Sequence, residues 1–248
     1  MRPNPSRSAA PVAGRKSKRP AQRAGEPPRA GKTENVAARD DGPATGSTTA
    51  DSILDAAERL FARRGFDGTT VKEIGSEAGV NAALIYYYFV DKRGLHQAVI
   101  SRFGRELLSR ATKALADARS PEDVVRAVVS TQSAMFSGYP ERVKIIGREL
   151  IDHDAAHAAE FISLLARNVF SRLRDAIAAA QEEGRFSRQY DPAYAALSTI
   201  SQVIYFHLAR PIVQTLLRER GAIGRDEEEA FARHAASFAL GALQAGPR

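Results

Sequence analysis

The sequence predicts an all-α protein in which three short helices are followed by six longer ones. From Thr48 onward, apolar residues recur at helical intervals, and no segment alternates between polar and apolar residues as a half-buried strand does. Residues that begin helices and glycines that end them divide the chain into segments of helical length. With 248 residues, 44% of them hydrophobic, the chain is long enough to bury a sizeable core.

One apolar face predicts the first helix. Its members recur at positions i, i+1, i+4, i+7 and i+8, and they are Ile53, Leu54, Ala57, Leu60 and Phe61. Glycine tolerates the left-handed conformation that commonly ends a helix, so we expect this helix to end at Gly65.

Capping signals predict the second and third helices. Thr70 and Glu73 have the spacing of a capping box, which indicates that a short helix begins there and ends at Gly79. Asn81 is suited to cap a third helix that runs to about Phe89. These two helices have the lengths expected of a helix-turn-helix.

The turn between these helices must allow a steep crossing. Gly79 can supply the left-handed residue of the turn, and Gly75 can supply the small residue at the crossing. We expect Ile74, Val80 and Ile85 to point inward and hold the pair on the first helix. The other face of the third helix then remains exposed.

Six longer helices are predicted in the rest of the chain. Asp91, Ser120 and Pro121 are expected to begin the first two of them. The approximate ranges are 91–118, 121–138, 140–152, 155–183, 192–219 and 226–243. Pro211 lies inside the fifth range and removes a backbone hydrogen bond, which predicts a kink or break near Ala209 and Arg210.

The positive charge of the chain is concentrated at its N-terminal end. Of the formal net charge of +7, residues 1–50 carry +6 and residues 51–248 carry +1. Residues 1–46 lack aromatic residues and apolar periodicity, so we expect a disordered basic arm there. Such an arm either adds sequence-independent affinity for phosphates or has no role, and the overall charge does not by itself indicate a DNA-binding fold.

Several classes of protein receive no support from the sequence. Cysteine is absent, which excludes disulfides and thiolate metal sites. No apolar run is long enough to span a membrane, and no secretory signal is recognisable, so we expect a cytoplasmic protein. No phosphate loop, nucleophile elbow or Cys–His pair is present, and we expect neither an enzyme nor a cofactor.

The segment from Ile53 to Leu95 reads ILDAAERLFARRGFDGTTVKEIGSEAGVNAALIYYYFVDKRGL. It resembles the DNA-binding head of the tetracycline-repressor (TetR) family. The resemblance implies a helix-turn-helix DNA-binding domain over residues 47–96 and an effector-binding and dimerisation domain over residues 97–245. It also implies a homodimer that binds a palindromic double-stranded DNA operator and is released by a small-molecule effector.

The same resemblance implies a set of DNA contacts: Thr70, Lys72, Asn81, Ala82, Ala83, Leu84, Tyr86, Tyr87 and Lys92. Thr70 and Lys92 suit phosphate contacts at helix N-termini. Gly75 replaces the alanine usual in the family, and the apolar run 82–84 lies where many members have polar readers. Readout is therefore expected from Asn81, Tyr87, thymine methyl contacts and DNA shape.

Adjacent tyrosines on a helix cannot all face one way, so at most two of the three tyrosines 86–88 are expected to reach DNA. Tyr88 is expected to be a core or interface ring, and Phe89, like Ile85, to lie in the core.

A weaker similarity to members with a CecR-like effector domain rests on VNAALIYYYF and on REL at residues 148–150. In this family the helices at 192–219 and 226–243 occupy the positions that pair two subunits. The apolar residues that suit such a face are Leu197, Ile200, Ile204, Leu208, Phe231, Phe238 and Leu240. A core within one chain would use the same residues.

A ligand pocket, if one exists, is expected among the fourth to eighth helices. The candidate residues are Met135, Phe136, Ile146, Arg148, Phe161, Leu165, Phe170, Tyr205 and His207, with Glu149 as a further polar group. Plain core packing or surface ion pairs are alternative roles for them.

A separate question is whether the stretch Asp152, His153, Asp154 and His157 binds a metal. Its two imidazoles have the i, i+4 spacing of a metal site. A solvated helix junction is the favoured interpretation, and no metal is expected.

Three functional hypotheses follow from the sequence. The leading one is a repressor released by its ligand, with a regulator whose ligand promotes DNA binding as a variant of it. The second is a nonspecific nucleic-acid-binding protein that depends on the basic arm. The third is a small-molecule-binding or catalytic helical protein with a vestigial head.

Overall fold

A computed structural model describes residues 48–246, which form α-helices, short turns and no β-strand. The predicted basic arm, residues 1–46, lies outside the described residues. The α-helices are α1 (Thr49–Arg64), α2 (Val71–Ala78), α3 (Ala82–Phe89), α4 (Lys92–Ala116), α5 (Pro121–Gly138), α6 (Pro140–Asp152), α7 (Ala159–Leu165), α8 (Ser171–Glu182), α9 (Pro192–Leu208), α10 (Arg210–Leu216) and α11 (Arg225–Gln244). The predicted all-α class is confirmed.

The helix-turn-helix forms as the sequence predicts. Thr70 and Glu73 make the capping box of α2, and Gly79 ends that helix in the left-handed conformation, with φ of 70°. A Cβ at Gly75 would lie 3.0 Å from the carbonyl oxygen of Val80, so glycine permits the close crossing of α2 and α3. Ile74 and Ile85 are fully buried and fix the pair on α1.

Helix α5 is central to the remaining helices. It packs against α4, α8, α9 and α11. Its buried Val125 and Val128 belong to the same apolar cluster as Leu173 and Ile177 of α8 and Leu243 of α11. This cluster is separate from the one that joins α1–α3 to α4 and α6. The two largest apolar clusters of the described residues therefore lie beneath the helix-turn-helix and around α5.

The predicted helix over 155–183 begins later than expected, because residues 153–158 form turns. The backbone N–H of Ala155 donates to the carbonyl oxygen of Glu149, and the backbone N–H of His157 donates to the Glu149 carboxylate at 2.6 Å. These bonds hold the turns against the end of α6, and they replace the helical bonds that the sequence pattern predicted.

Two other predicted helices are divided into shorter segments in the structure. A π-helical segment, Ala166–Phe170, joins α7 to α8 without a break, and the sequence pattern did not predict it. The predicted break near Ala209 is confirmed, because α9 ends at Leu208 and Pro211 lies in the first turn of α10. Nine predicted helices thus become eleven α-helical segments over residues 48–246.

Among the helices of residues 48–246, none is both long enough and apolar enough to span a bilayer.

Candidate nucleic-acid interface and ligand cavity

One face of α3 is exposed and carries large side chains. Tyr87 is 79% exposed and Tyr86 is 53% exposed. Ile85, which precedes Tyr86 in the chain, is fully buried. Ala83 and Leu84 are also exposed, and Ala82 is half-buried. The helix therefore presents a rigid, largely apolar surface, anchored from the opposite side by Ile85.

Tyr88 differs from the expectation of a core ring. It is 45% exposed, and its ring packs edge-on against Tyr87 at 5.1 Å between centroids. Ile85 and Phe89, one turn apart, occupy the inward positions, although Phe89 is only partly buried. The expectation that Tyr88 lies in the core is therefore wrong, and its alternative role as an interface ring stays a prediction.

The capping residues beside this face have polar groups directed to the helix ends. Asn81 accepts the backbone N–H of Ala83 at 2.9 Å through its amide oxygen, which leaves the amide nitrogen as the group able to donate to DNA. The Thr70 hydroxyl donates to Glu73 at 2.8 Å within the capping box. Lys72, in the first turn of α2, is exposed. These residues flank the exposed face of α3.

Lys92 is turned inward. Its Nζ donates to the carbonyl oxygens of Phe66 and Thr69, at 3.0 and 3.1 Å, and lies 4.2 Å from the centroid of the Phe66 ring. An ammonium has three donors, so one remains for a phosphate. The structure thus gives Lys92 a role in fixing the start of α4, beside the DNA contact that the resemblance implies.

An ionic network joins α1 to α4 and α6. The guanidinium of Arg142, only 12% exposed, lies 2.8 Å from both Glu58 of α1 and Glu106 of α4. Burial would lower the pKa of Arg142, but its hydrogen bonds to the two carboxylates outweigh burial and raise the pKa above its usual value. Arg142 therefore stays charged and ties the helix-turn-helix core to the longer helices.

An apolar cavity of about 290 Å³ lies between α4, α5, α9 and the continuous helix of α7, the π-helical segment and α8. Its walls are Leu107, Ala111, Val128, Thr131, Gln132, Ile162, Leu165, Ala166, Val169, Phe170, Leu197 and Ile200. The Oε1 atom of Gln132 is buried and has no hydrogen-bond partner within residues 48–246. A buried oxygen without a partner favours a ligand that can donate a hydrogen bond.

The structure does not bring the sequence-predicted pocket residues around one cavity. Leu165 and Phe170 line the cavity just described. Met135, Phe161 and Ile146 pack in the core beneath the helix-turn-helix. Sequence periodicity identifies apolar helix faces but not the gap between them, so it missed most of the walls, including Gln132.

The remaining candidate pocket residues, most of them polar, are also dispersed. Phe136 and His207 line a different cleft, of about 420 Å³. His207 is buried beside Ser133, and burial lowers its pKa below the usual value. Tyr205 is 55% exposed, and Arg148 is exposed at the surface, next to Gly65.

A second polar cluster, which the sequence did not reveal, lies at the start of α4. The Nδ1 atoms of His96 and His157 lie 3.7 and 3.1 Å from Oε2 of Glu149. The side chains of His96 and Glu149 are 3% and 0% exposed, and that of His157 is 13% exposed. His157 is therefore not the solvated junction residue that the sequence favoured, because Glu149 draws it inward.

Comparison with known proteins identifies a family domain in the chain. The sequence profile described as "Bacterial regulatory proteins, tetR family" matches residues 53–99, which include α2 and α3 entirely. Residues 53–99 are therefore a TetR-family domain. The chain is 29% identical over 171 residues to the HTH-type transcriptional repressor NicS of Pseudomonas putida, an alignment that covers 68% of the chain and 80% of NicS.

Other regulators, one of them described as a TetR-family member, match over shorter or more divergent alignments. The HTH-type regulator BetI of Agrobacterium fabrum is 37% identical over 94 residues, 37% of this chain and 45% of BetI. Among solved structures, PfmR of Thermus thermophilus has a TM-score of 0.64 at 21% identity, covering 81% of this chain and all of PfmR. AibR, solved with isovaleryl coenzyme A and operator DNA, has a TM-score of 0.62 at 21% identity. The match covers 77% of this chain and 97% of AibR. The chain thus shares the fold of these regulators and carries a TetR-family domain over residues 53–99.

We predict that Arg142→Met lowers the free energy of unfolding by roughly 2–3 kcal/mol, because it leaves Glu58 and Glu106 partly buried with fewer cationic partners. Urea denaturation at neutral pH measures the change. Lys144→Met on the same helix is the matched control, because Lys144 forms an exposed pair with Glu141 and its loss should cost less than about 0.5 kcal/mol. Equal effects of the two substitutions would contradict a structural role for the Arg142 network.

Proposed function

We propose that the chain is a homodimeric repressor that binds a palindromic operator and is released by a small-molecule effector. The observation that carries the proposal is the exposed face of α3, where Leu84, Tyr86 and Tyr87 face solvent inside the segment that matches the TetR profile. Residues 47–96 would form the DNA-binding domain and residues 97–245 the effector-binding and dimerisation domain. Acting on the operator, the protein would work in the cytoplasm.

The chemistry of α3 limits how the operator is read. Residues 82–89 contain no Arg, Lys, Asn or Gln, so this helix cannot make the bidentate contacts that identify guanine or adenine. Asn81 can donate to a base edge or phosphate, and Ala83 and Leu84 suit contacts with thymine methyl groups. We therefore expect an operator whose half-sites are defined by thymine positions and by DNA shape.

The proposed dimer forms through α9 and α11. Leu197 and Tyr205 of α9 and Phe238 of α11 are 53%, 55% and 62% exposed, a concentration of apolar surface that favours burial against a second copy. Other residues of the sequence-predicted face are internal. Phe231 stacks on Phe206 at 4.0 Å between centroids, and Leu240 is 6% exposed. The proposal thus assigns the exposed residues of this face to the dimer interface and the internal residues to the core.

The proposed effector occupies the cavity lined by Gln132. The volume of about 290 Å³ and the apolar walls favour a compact apolar molecule with one hydrogen-bond donor. Helix α4 contributes Leu107 and Ala111 to the cavity and begins at Lys92, three residues after α3 ends. A ligand that displaces α4 would therefore move α3 and weaken operator binding.

The first test is selection of bound DNA from a random pool by the full chain. We expect a two-fold symmetric motif whose half-sites are about 10 base pairs apart. Tyr87→Ala should weaken binding to that motif about tenfold or more, because it removes the most exposed ring of α3. Titration of labelled DNA measures the affinity of both the variant and the wild type for the motif.

Tyr190→Ala is the control for this test, because Tyr190 is exposed but lies outside the helix-turn-helix. It should bind like the wild type. A pool without a motif, retained only at low salt and lost when residues 1–46 are deleted, would favour the nonspecific binder instead.

The dimer is tested with Tyr205→Glu combined with Phe238→Glu. A charge on each side of the proposed interface should convert the dimer to a monomer, because buried unpaired carboxylates are costly. Sedimentation equilibrium measures the mass. Ile151→Glu, at a 77% exposed site on α6, is the matched control and should remain a dimer. A dimer that survives the double substitution would place the interface elsewhere.

The cavity is tested with phenol and benzene as probes. Wild-type protein should bind phenol in preference to benzene, because the phenol hydroxyl can donate to Gln132, and Gln132→Leu should remove that preference. Ligand-observed NMR measures the binding of both probes. Ala111→Phe, which fills the cavity, should abolish both interactions. Absence of binding in the folded wild-type protein would refute a ligand site in this cavity.

A further inference from the structure

We propose that His96, Glu149 and His157 bind one divalent transition-metal ion, with zinc as the representative. The three residues come from α4, from α6 and from the turns before α7, and one ligand atom from each lies within 4.8 Å of the others. Two imidazole nitrogens and one carboxylate oxygen are a zinc-binding set that leaves a further coordination position open. Nothing in the proposed function requires this site.

The distances between the ligand atoms fit an ion. Zinc bonds to histidine nitrogen and carboxylate oxygen at about 2.0–2.2 Å, so two tetrahedral ligands lie roughly 3.4 Å apart. The Glu149 Oε2 to imidazole Nδ1 distances, 3.1 Å to His157 and 3.7 Å to His96, bracket that separation. Both pairs that include Glu149 are therefore near bonding geometry, and the ligand atoms of the two histidines, which lie within 4.8 Å of each other, would have to close around the ion.

The polar groups of the cluster are incompletely paired without an ion. His96 Nδ1 is buried and has no hydrogen-bond partner in the part of the chain that the structure describes. Glu149, with its side chain 0% exposed, has no Lys or Arg nitrogen within 4.0 Å among residues 48–246. A buried carboxylate and a buried unpaired nitrogen are each costly, and one cation bound between them would satisfy both.

The surroundings suit a bound ion. A small cavity of about 10 Å³, at the lower limit for one water, is bordered by His96, Glu149 and His153, and also by Arg148. The Glu149 carboxylate is oriented by the backbone N–H of His157 at 2.6 Å, the kind of second hydrogen bond that fixes metal-binding carboxylates. A water in this cavity could complete the coordination.

The competing interpretation is a simple ion pair between Glu149 and a protonated His157. That arrangement would satisfy Glu149 but would leave the buried Nδ1 of His96 without a partner. The two interpretations give opposite results with added metal, because a protonated imidazole does not bind an ion and neutral imidazoles do.

The experiment uses the full chain after removal of any purification tag and treatment with a chelator. Cobalt(II) is the spectroscopic probe, because its visible absorption is strong only when four or five ligands surround it. Zinc affinity is then measured by competition with a chromogenic chelator. We expect saturation at one ion per chain and displacement of cobalt by zinc.

His157→Gln and Glu149→Gln should each weaken zinc binding more than about tenfold and abolish the cobalt spectrum, because each removes a ligand. His234→Gln, at an exposed position of α11, is the matched control and should bind like the wild type. Circular dichroism establishes that each variant is folded. If Glu149→Gln fails to fold, the more exposed His157→Gln carries the test.

Absence of zinc binding by the folded wild-type chain, or unchanged binding in His157→Gln, would overturn the proposal. If the wild-type chain binds no zinc and His157→Gln is less stable than the wild type, the ion pair is supported instead.

The site lies against Phe66, whose ring centroid is 5.0 Å from His96 and 5.3 Å from His157, so an effect of zinc on DNA binding is expected. Only that last expectation depends on the proposed function, and zinc binding measured without DNA stands independently of it.

Discussion

The position of the helix-turn-helix depends on the ion pairs that join α1, α4 and α6, with Arg142 at their centre and Arg102 beside it. Arg142 lies between a carboxylate of α1 and a carboxylate of α4, and its own helix is α6. Apolar packing beneath α1 brings these helices together, but apolar contacts are not directional and would tolerate sliding. The charged hydrogen bonds of Arg142 require one relative placement of the three helices, and α3 inherits that placement through α2 and α4.

The sequence predicted the local features of the fold well because their causes are local. The capping box of Thr70 and Glu73, the left-handed Gly79 and the break before Pro211 each depend on residues within one or two turns. The turns over 153–158 were missed because their cause is a carboxylate on the preceding helix, which competes with the helical pattern. The π-helical segment at Ala166–Phe170 has no signal in the sequence that we can identify.

The candidate sites also differ in whether the sequence could predict them. The exposed face of α3 could be predicted, because it is the complement of the apolar positions Ile85 and Phe89 on one short helix. The cavity beside Gln132 and the cluster of His96, Glu149 and His157 could not, since each combines residues from helices far apart in the chain. The sequence indicates Glu149 only as a polar group and gives His96 no role. Their chemistry depends on burial, which residue spacing alone does not reveal.

The division of α3 into an inward and an outward side has an evolutionary consequence. Of its eight residues only Ile85 is fully buried, so most mutations on the outward side should cost little stability. Residues that would meet DNA can therefore vary while the fold is maintained, and a duplicated gene could acquire a new operator in single steps. The constraint falls instead on position 75, where a Cβ would lie 3.0 Å from the carbonyl oxygen of Val80, so we expect drift at the outward positions and selection for glycine or another small residue at the crossing.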